Sequence, residues 1–152
     1  MTPHASASSR SSGADVTSFG GRILIGALGG IAGGLVFGAM MAAMGMLPML
    51  AGMVGSTSPW VGLGIHMMIS VFFGVVFTAV GARWLRSWGA GLVASVIYGI
   101  VLWVVGPLVV MPMMMGAPLF AVTAGSMMSL MGHVVYALAL GAVAVPMLRR
   151  RS

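Results

Sequence analysis

The stretch GLGIHMMISVFFG, residues 62–74, decides the fold, and SLMGHVVYALALG, residues 129–141, echoes it. Gly62, His66, Ser70 and Gly74 stand four residues apart, as do Ser129, His133, Ala137 and Gly141. A four-residue step keeps side chains on one slowly turning face of an α-helix. Both stretches therefore read as helices with a small-residue stripe and one histidine in it. Each histidine precedes a glycine by eight residues, and Arg83 and Arg149 follow at 17 and 16 residues. The pattern predicts two copies of one membrane-embedded hairpin, with one histidine per copy at matching depth.

Composition fixes the solvent. The chain of 152 residues is 60% apolar and 5% charged, with a mean hydropathy of +1.13. A soluble domain carries about 25% charged residues, so most of these side chains must face lipid. All seven basic residues are arginine, and Asp15 is the single acid. Cysteine is absent, which excludes disulfides, thiolate catalysis and Cys-ligated metal centres. The basic balance does not point to nucleic acid. Arg10, Arg22, Arg83, Arg86 and Arg149 to Arg151 flank apolar segments, which is the positive-inside pattern rather than a basic face for a duplex.

Four spans are predicted, at about 23–47, 59–82, 88–110 and 118–148, each long enough for a hydrocarbon core of ~30 Å. Residues 1–21 are Ser-, Ala- and Gly-rich and read as a disordered tail. The transmembrane domain is 22–148, with hairpin one at about 22–83, hairpin two at about 87–148, and a basic tail at 149–152. With four spans every arginine falls on one side, so both termini and the middle loop are expected in the cytoplasm of a bacterial inner membrane. The opposite loops, roughly 48–58 and 111–117, contain no charge and are Met- and Pro-rich. They are expected to fold back against the bundle. Trp60 and Trp103 would anchor the outer interface, and Trp84 and Trp88 the inner one.

The hairpins share further marks. Phe37-Gly38 is followed by Gly45 and Pro48, and Tyr98-Gly99 by Gly106 and Pro107. This predicts an internal repeat about an axis along the membrane normal. In lipid, helices associate through close backbone approach and polar contacts. The stripe Gly26, Gly30, Gly34 and Gly38, a glycine-zipper pattern, is thus a packing candidate, with Ser70, Gly74, Gly99, Ser129 and Gly141 opposite.

The methionine-rich surroundings of His66 and His133 admit three readings. The histidines can be structural, bonded to hydroxyls or carbonyls, with Ser70 and Ser129 one turn away. They can bind a soft metal, Cu(I), with thioethers such as Met67 and Met131, since no carboxylate is at hand for a hard cation. They can be the axial ligands of a haem. Catalysis is disfavoured: Glu, Lys and Cys are absent, and a Ser–His pair here lacks an orienting carboxylate. His4 in the tail reads as solvated.

The stretches 33–48, 65–74, 98–112 and 126–141 resemble a group of small four-span bacterial membrane proteins with no assigned activity. The resemblance rests on Phe37-Gly38, His66, Gly106-Pro107 and Met131-Gly132-His133. It implies an integral membrane protein and carries over no site residue. The expected function is non-enzymatic, acting through helix packing and partner assembly in the lipid bilayer, with a homodimer as one form and no cofactor. The alternative is a copper- or haem-binding protein or transporter subunit using His66 and His133.

Overall fold

The computed structural model describes residues 18–149. The expectations for residues 1–17, with His4, Arg10 and Asp15, and for residues 150–152 lie outside the described residues. The chain forms α1 (Phe19–Ala43), α2 (Leu47–Gly52), α3 (Pro59–Gly81), α4 (Trp88–Val105), α5 (Met111–Met115) and α6 (Ala124–Arg149). A 3₁₀ turn, Trp84–Arg86, joins α3 to α4, and a π-helical turn, Gly106–Val110, joins α4 to α5. Four segments are long and apolar enough to cross a membrane: Phe19–Ala43, Pro59–Gly81, Trp88–Met115 and Ala124–Arg149.

The helix ends have local chemical causes, and several differ from the expected limits. The first helix begins at Phe19 because Ser18 Oγ accepts from the Gly21 N–H at 3.2 Å. It stops at Ala43, short of residue 47. Gly45 turns left-handed (φ 66°), and the Met46 and Gly45 N–H groups return to the Met41 and Ala42 carbonyls. That is a Schellman ending. Pro48 therefore opens α2 instead of closing the first span.

The third span runs on past 110 to Met115. Pro107 has no N–H to give an α-turn, and the helix widens there, with the Met111 N–H bonded to the Gly106 carbonyl. The expected loop at 111–117 is displaced accordingly: α5 ends at Gly116 (φ 65°). The fourth helix starts at Ala124, not 118. Thr123 and Ser126 bond reciprocally: Ser126 N–H to Thr123 Oγ1 at 3.2 Å, and Thr123 N–H to Ser126 Oγ at 2.7 Å. This is a capping box with Ser in the place of Glu or Gln.

The long helices pack antiparallel, with α1 against both α3 and α6 and α4 against α6. Glycines set how close they come. A Cβ at Gly30 would lie 2.5 Å from the Ser70 carbonyl oxygen, and one at Gly74 would lie 2.7 Å from Gly30 Cα. Gly26 and Gly34 continue that seam toward Thr78 and Ser70. On its other side α1 uses Gly29 against Leu140 and Gly33 against Tyr136. In the second hairpin Gly99 meets the His133 carbonyl, and Gly141 lies against Ser95 Oγ. Thr78 Oγ1 donates to the Arg22 carbonyl at 2.8 Å across α3 and α1. The outward faces are apolar and exposed, as Leu24, Leu35, Phe72, Val80, Val93 and Ile97 illustrate.

This antiparallel order places Arg22, Arg83, Arg86 and Arg149 at one end of the bundle. The α2 and α5 segments occupy the other end. There α2 folds back on α3, with the Leu47 carbonyl pressed against Gly62.

Candidate functional site

The site forms at the arginine-free end, around Phe37 of α1. The Phe37 ring makes edge contacts with two imidazoles, His66 of α3 at 5.3 Å and His133 of α6 at 5.0 Å between centroids. The two histidines thus stand at one level, reached from two different helices. Gly132 makes the arrangement possible, because a Cβ there would fall inside the Phe37 ring. Gly38 has a milder effect on His66, whose Cδ2 would lie 3.3 Å from a Cβ at that position, slightly tighter than ordinary contact.

Each imidazole is anchored through one nitrogen. His66 Nε2 lies 3.0 Å from the Gly34 carbonyl oxygen and 3.4 Å from Ser70 Oγ. His133 Nδ1 lies 2.7 Å from the Ser129 carbonyl oxygen and 3.4 Å from Ser129 Oγ. A carbonyl oxygen only accepts, so the anchored nitrogen carries the proton. In the neutral rings the lone pair then resides on His66 Nδ1 and His133 Nε2. Neighbouring hydroxyls are used in the framework. Tyr136 donates to the Ser70 carbonyl at 2.6 Å, Tyr98 to the Phe73 carbonyl at 2.6 Å, and Ser126 to the Thr123 carbonyl at 2.9 Å. The Trp103 indole donates to the Ser126 carbonyl at 2.6 Å, tying α4 to the start of α6.

A cavity of about 550 Å³ opens against these rings, with an almost wholly apolar lining. Its walls come from α1, α3, α4 and α6, and its cover from α2, the π turn, α5 and the loop before α6. The Phe120 N–H bonds to the Leu108 carbonyl at 2.9 Å and holds that loop over it. Both histidines line the cavity, together with Met41, Met46, Met53 and Met111.

The residues singled out in the sequence divide sharply. His66, His133, Ser70 and Ser129 meet at the cavity. Gly26, Gly30, Gly34, Gly38, Gly74, Gly99 and Gly141 lie at helix–helix contacts. Met67 and Met131 do not reach the cavity: Met67 packs its sulfur toward Gly34, and Met131 is 48% exposed. Each follows or precedes its histidine along the chain, and neighbours on a helix do not face one way. Met41 was the legible one, four residues after Phe37 and so on the same face. The contributions of Met46, Met53 and Met111 depend on the fold-back of α2 and the widened turn at Pro107, which carry no periodic signal.

The haem reading does not fit this geometry. A macrocycle is far wider than an ion, and one ligated by both imidazoles would have to share their level with the Phe37 ring, which makes edge contacts with each of them. Comparison of the chain with protein-family models, curated proteins and solved structures finds no match.

Proposed function

We propose that this is a non-enzymatic, multi-pass protein of a bacterial inner membrane whose working part is the cavity around Phe37, His66 and His133. Both termini and the 83–87 turn are cytoplasmic, and the cavity opens in the outer half of the bilayer. The observation that carries the reading is the pair of anchored imidazoles at one level of an apolar cavity, each with a lone pair left over. Helix packing accounts for the His66 nitrogen that bonds across the α1–α3 seam to Gly34, but not for the lone pair left on the other nitrogen of each ring. The α1–α3 seam is already closed by glycines and by Thr78. Ionisable side chains held within a membrane are costly and mark functional sites. The groups offered to a ligand are acceptors: two imidazole lone pairs and thioethers. The site therefore suits a ligand bringing positive charge or hydrogen-bond donors. Among the described residues no orienting carboxylate stands beside either Ser–His pair, which argues for binding and not for nucleophilic catalysis.

The arginine placement supports the orientation. An internal repeat also belongs to this reading. Gly38 faces the His66 side chain in the first hairpin, and Gly99 faces the His133 backbone in the second, so each glycine stands beside its hairpin's histidine although the contacts differ.

The chain has no cysteine, so single cysteines report cleanly. Ala121, in the loop lining the cavity, and Ser87, at the arginine end, are the informative positions. In intact spheroplasts a membrane-impermeant maleimide should label Ala121→Cys. It should label Ser87→Cys only after permeabilisation. Labelling of Ser87→Cys from outside overturns the orientation and with it the outward-facing cavity.

A further inference from the structure

The cavity gathers neutral, electron-rich donors from separate parts of the chain. They are the imidazoles of His66 and His133 and the thioethers of Met41, Met46, Met53 and Met111. We infer that this cavity is a Cu(I) site, in which imidazole and thioether groups hold one ion. The inference rests on the ligand-binding reading of the cavity given above.

The donor chemistry selects the ion. Thioethers and imidazoles favour a soft metal. Calcium and magnesium need several oxygen ligands, carboxylates prominent among them, and the cavity lining holds a few neutral hydroxyls and no carboxylate. All six groups are uncharged when the imidazoles are neutral. A single positive charge is therefore better tolerated than two, because buried charge without a counter-charge is expensive. The anchoring is also what a metal-binding histidine requires. Its second nitrogen donates to a carbonyl, which fixes the ring and the tautomer. His66 and His133 are both held this way.

Methionine suits the remaining positions. Its three rotatable bonds let a thioether close on an ion without backbone movement. Met49 and Met115 extend the series outward: both line the cavity and are 40% and 60% exposed. An ion arriving from the α2–α5 end would pass from these thioethers to the inner ones.

The test uses the full chain in detergent, titrated anaerobically with Cu(I) against a chromophoric Cu(I) chelator, with X-ray absorption at the copper edge. One Cu(I) per chain with sulfur and nitrogen in its shell is expected. The triple variant Met41→Leu, Met46→Leu and Met111→Leu nearly conserves volume and so retains the fold. It should lower affinity by about 10–100-fold, at least the loss seen when a metal's supporting shell is removed, with an unchanged thermal midpoint. Met113→Leu and Met114→Leu, both exposed and outside the cavity, should leave affinity as it was. A sulfur-free shell, or affinity lost in the Met113→Leu and Met114→Leu pair but not in the triple variant, overturns the proposal.

Failure of the metal and failure of the cavity separate through Ala121→Cys. If Cu(I) does not bind but an apolar quinol protects Ala121→Cys from the maleimide, the copper assignment falls and the cavity reading stands. If Cu(I) does not bind the cysteine-free chain and the quinol does not protect Ala121→Cys, both fall.

Discussion

Replacing Gly30 by alanine inserts one methyl group where α1 and α3 touch through their backbones. The new Cβ would lie 2.5 Å from the Ser70 carbonyl oxygen and 2.9 Å from Val71 Cα, where ordinary contact begins at 3.4 Å. The helices must therefore part by about 0.5–0.9 Å at this level, since neither obstacle is a side chain that can swing aside. One turn further on, the His66 Nε2–Gly34 O bond of 3.0 Å would stretch to about 3.5–3.9 Å if the seam opened evenly, beyond the usual 2.7–3.2 Å range. Overpacking costs about 1–3 kcal/mol. The better helix propensity of alanine returns up to about 1 kcal/mol. A net loss between roughly 0 and 3 kcal/mol follows, centred near 1.5. Gly64 is the internal comparison: it lies on α3 with nothing within 4 Å of an added Cβ. Gly64→Ala should be neutral or gain up to about 1 kcal/mol. The assay is the denaturation midpoint in detergent against SDS mole fraction, followed by circular dichroism. If Gly30→Ala is as stable as the parent chain, the backbone seam is not what holds α1 to α3.

The remaining expectations are shorter. Gly132→Ala drives a methyl into the Phe37 ring; it should lower stability by about 1–3 kcal/mol and weaken Cu(I) binding, read by melting and by chelator competition. Thr123→Val with Ser126→Ala removes the reciprocal cap of α6. It should cost about 1 kcal/mol, and the circular dichroism melt should show it. Cu(I) affinity should fall as the pH is lowered, because binding needs both imidazoles unprotonated and protons compete for the same lone pairs. Chelator competition repeated down a pH series checks this, and an affinity that rises as the pH falls would show that His66 and His133 are not ligands.

What the sequence made legible were the features that repeat or that punctuate by charge. Four apolar spans and a single arginine-bearing end could be read directly, because lipid immersion leaves no other place for those residues. The pairing of Gly30 with Gly74, or of Gly132 with Phe37, could not, since a stripe marks a face without naming its partner. Helix ends were misjudged wherever proline was read as a terminator. That holds for Pro48, which lies in the first turn of α2 while Gly45 ends the first helix; the third span was expected to pass Pro107 but to stop at 110, whereas the π turn there lets the helix continue to Met115. The start of α6 was hidden because Ser126 replaces the acid or amide of the usual capping box. At the site, both histidines were found from spacing. Their thioether companions were sought along the chain, whereas the cavity recruits them across it.

The origin of the cavity can be traced by laying the two hairpins on each other, under the proposed repeat, with Gly38 on Gly99 and His66 on His133. Gly30 then falls on Gly91, Gly29 on Ala90 and Gly33 on Ala94. The α1–α6 seam closes because Gly29 and Gly33 admit Leu140 and Tyr136, and Gly132 admits Phe37. The matching α3–α4 seam has Ala90 and Ala94 on one side. On the other it has Ile65 and Ile69, where the first seam has Gly132 and Tyr136. With those glycines absent, Tyr98 cannot take the seat that Phe37 has. It stacks on Phe77 at 4.6 Å and donates to the Phe73 carbonyl. The helices are thus held at one point and stand apart beyond it. The space left over is the cavity wall formed by Ile69, Phe73 and Leu102. One tight seam fixes the histidines in position, and one loose seam gives a ligand room beside them. Ile65→Gly would not close the second seam unless Ala90 and Ala94 also became glycine, because close approach needs small residues on both faces.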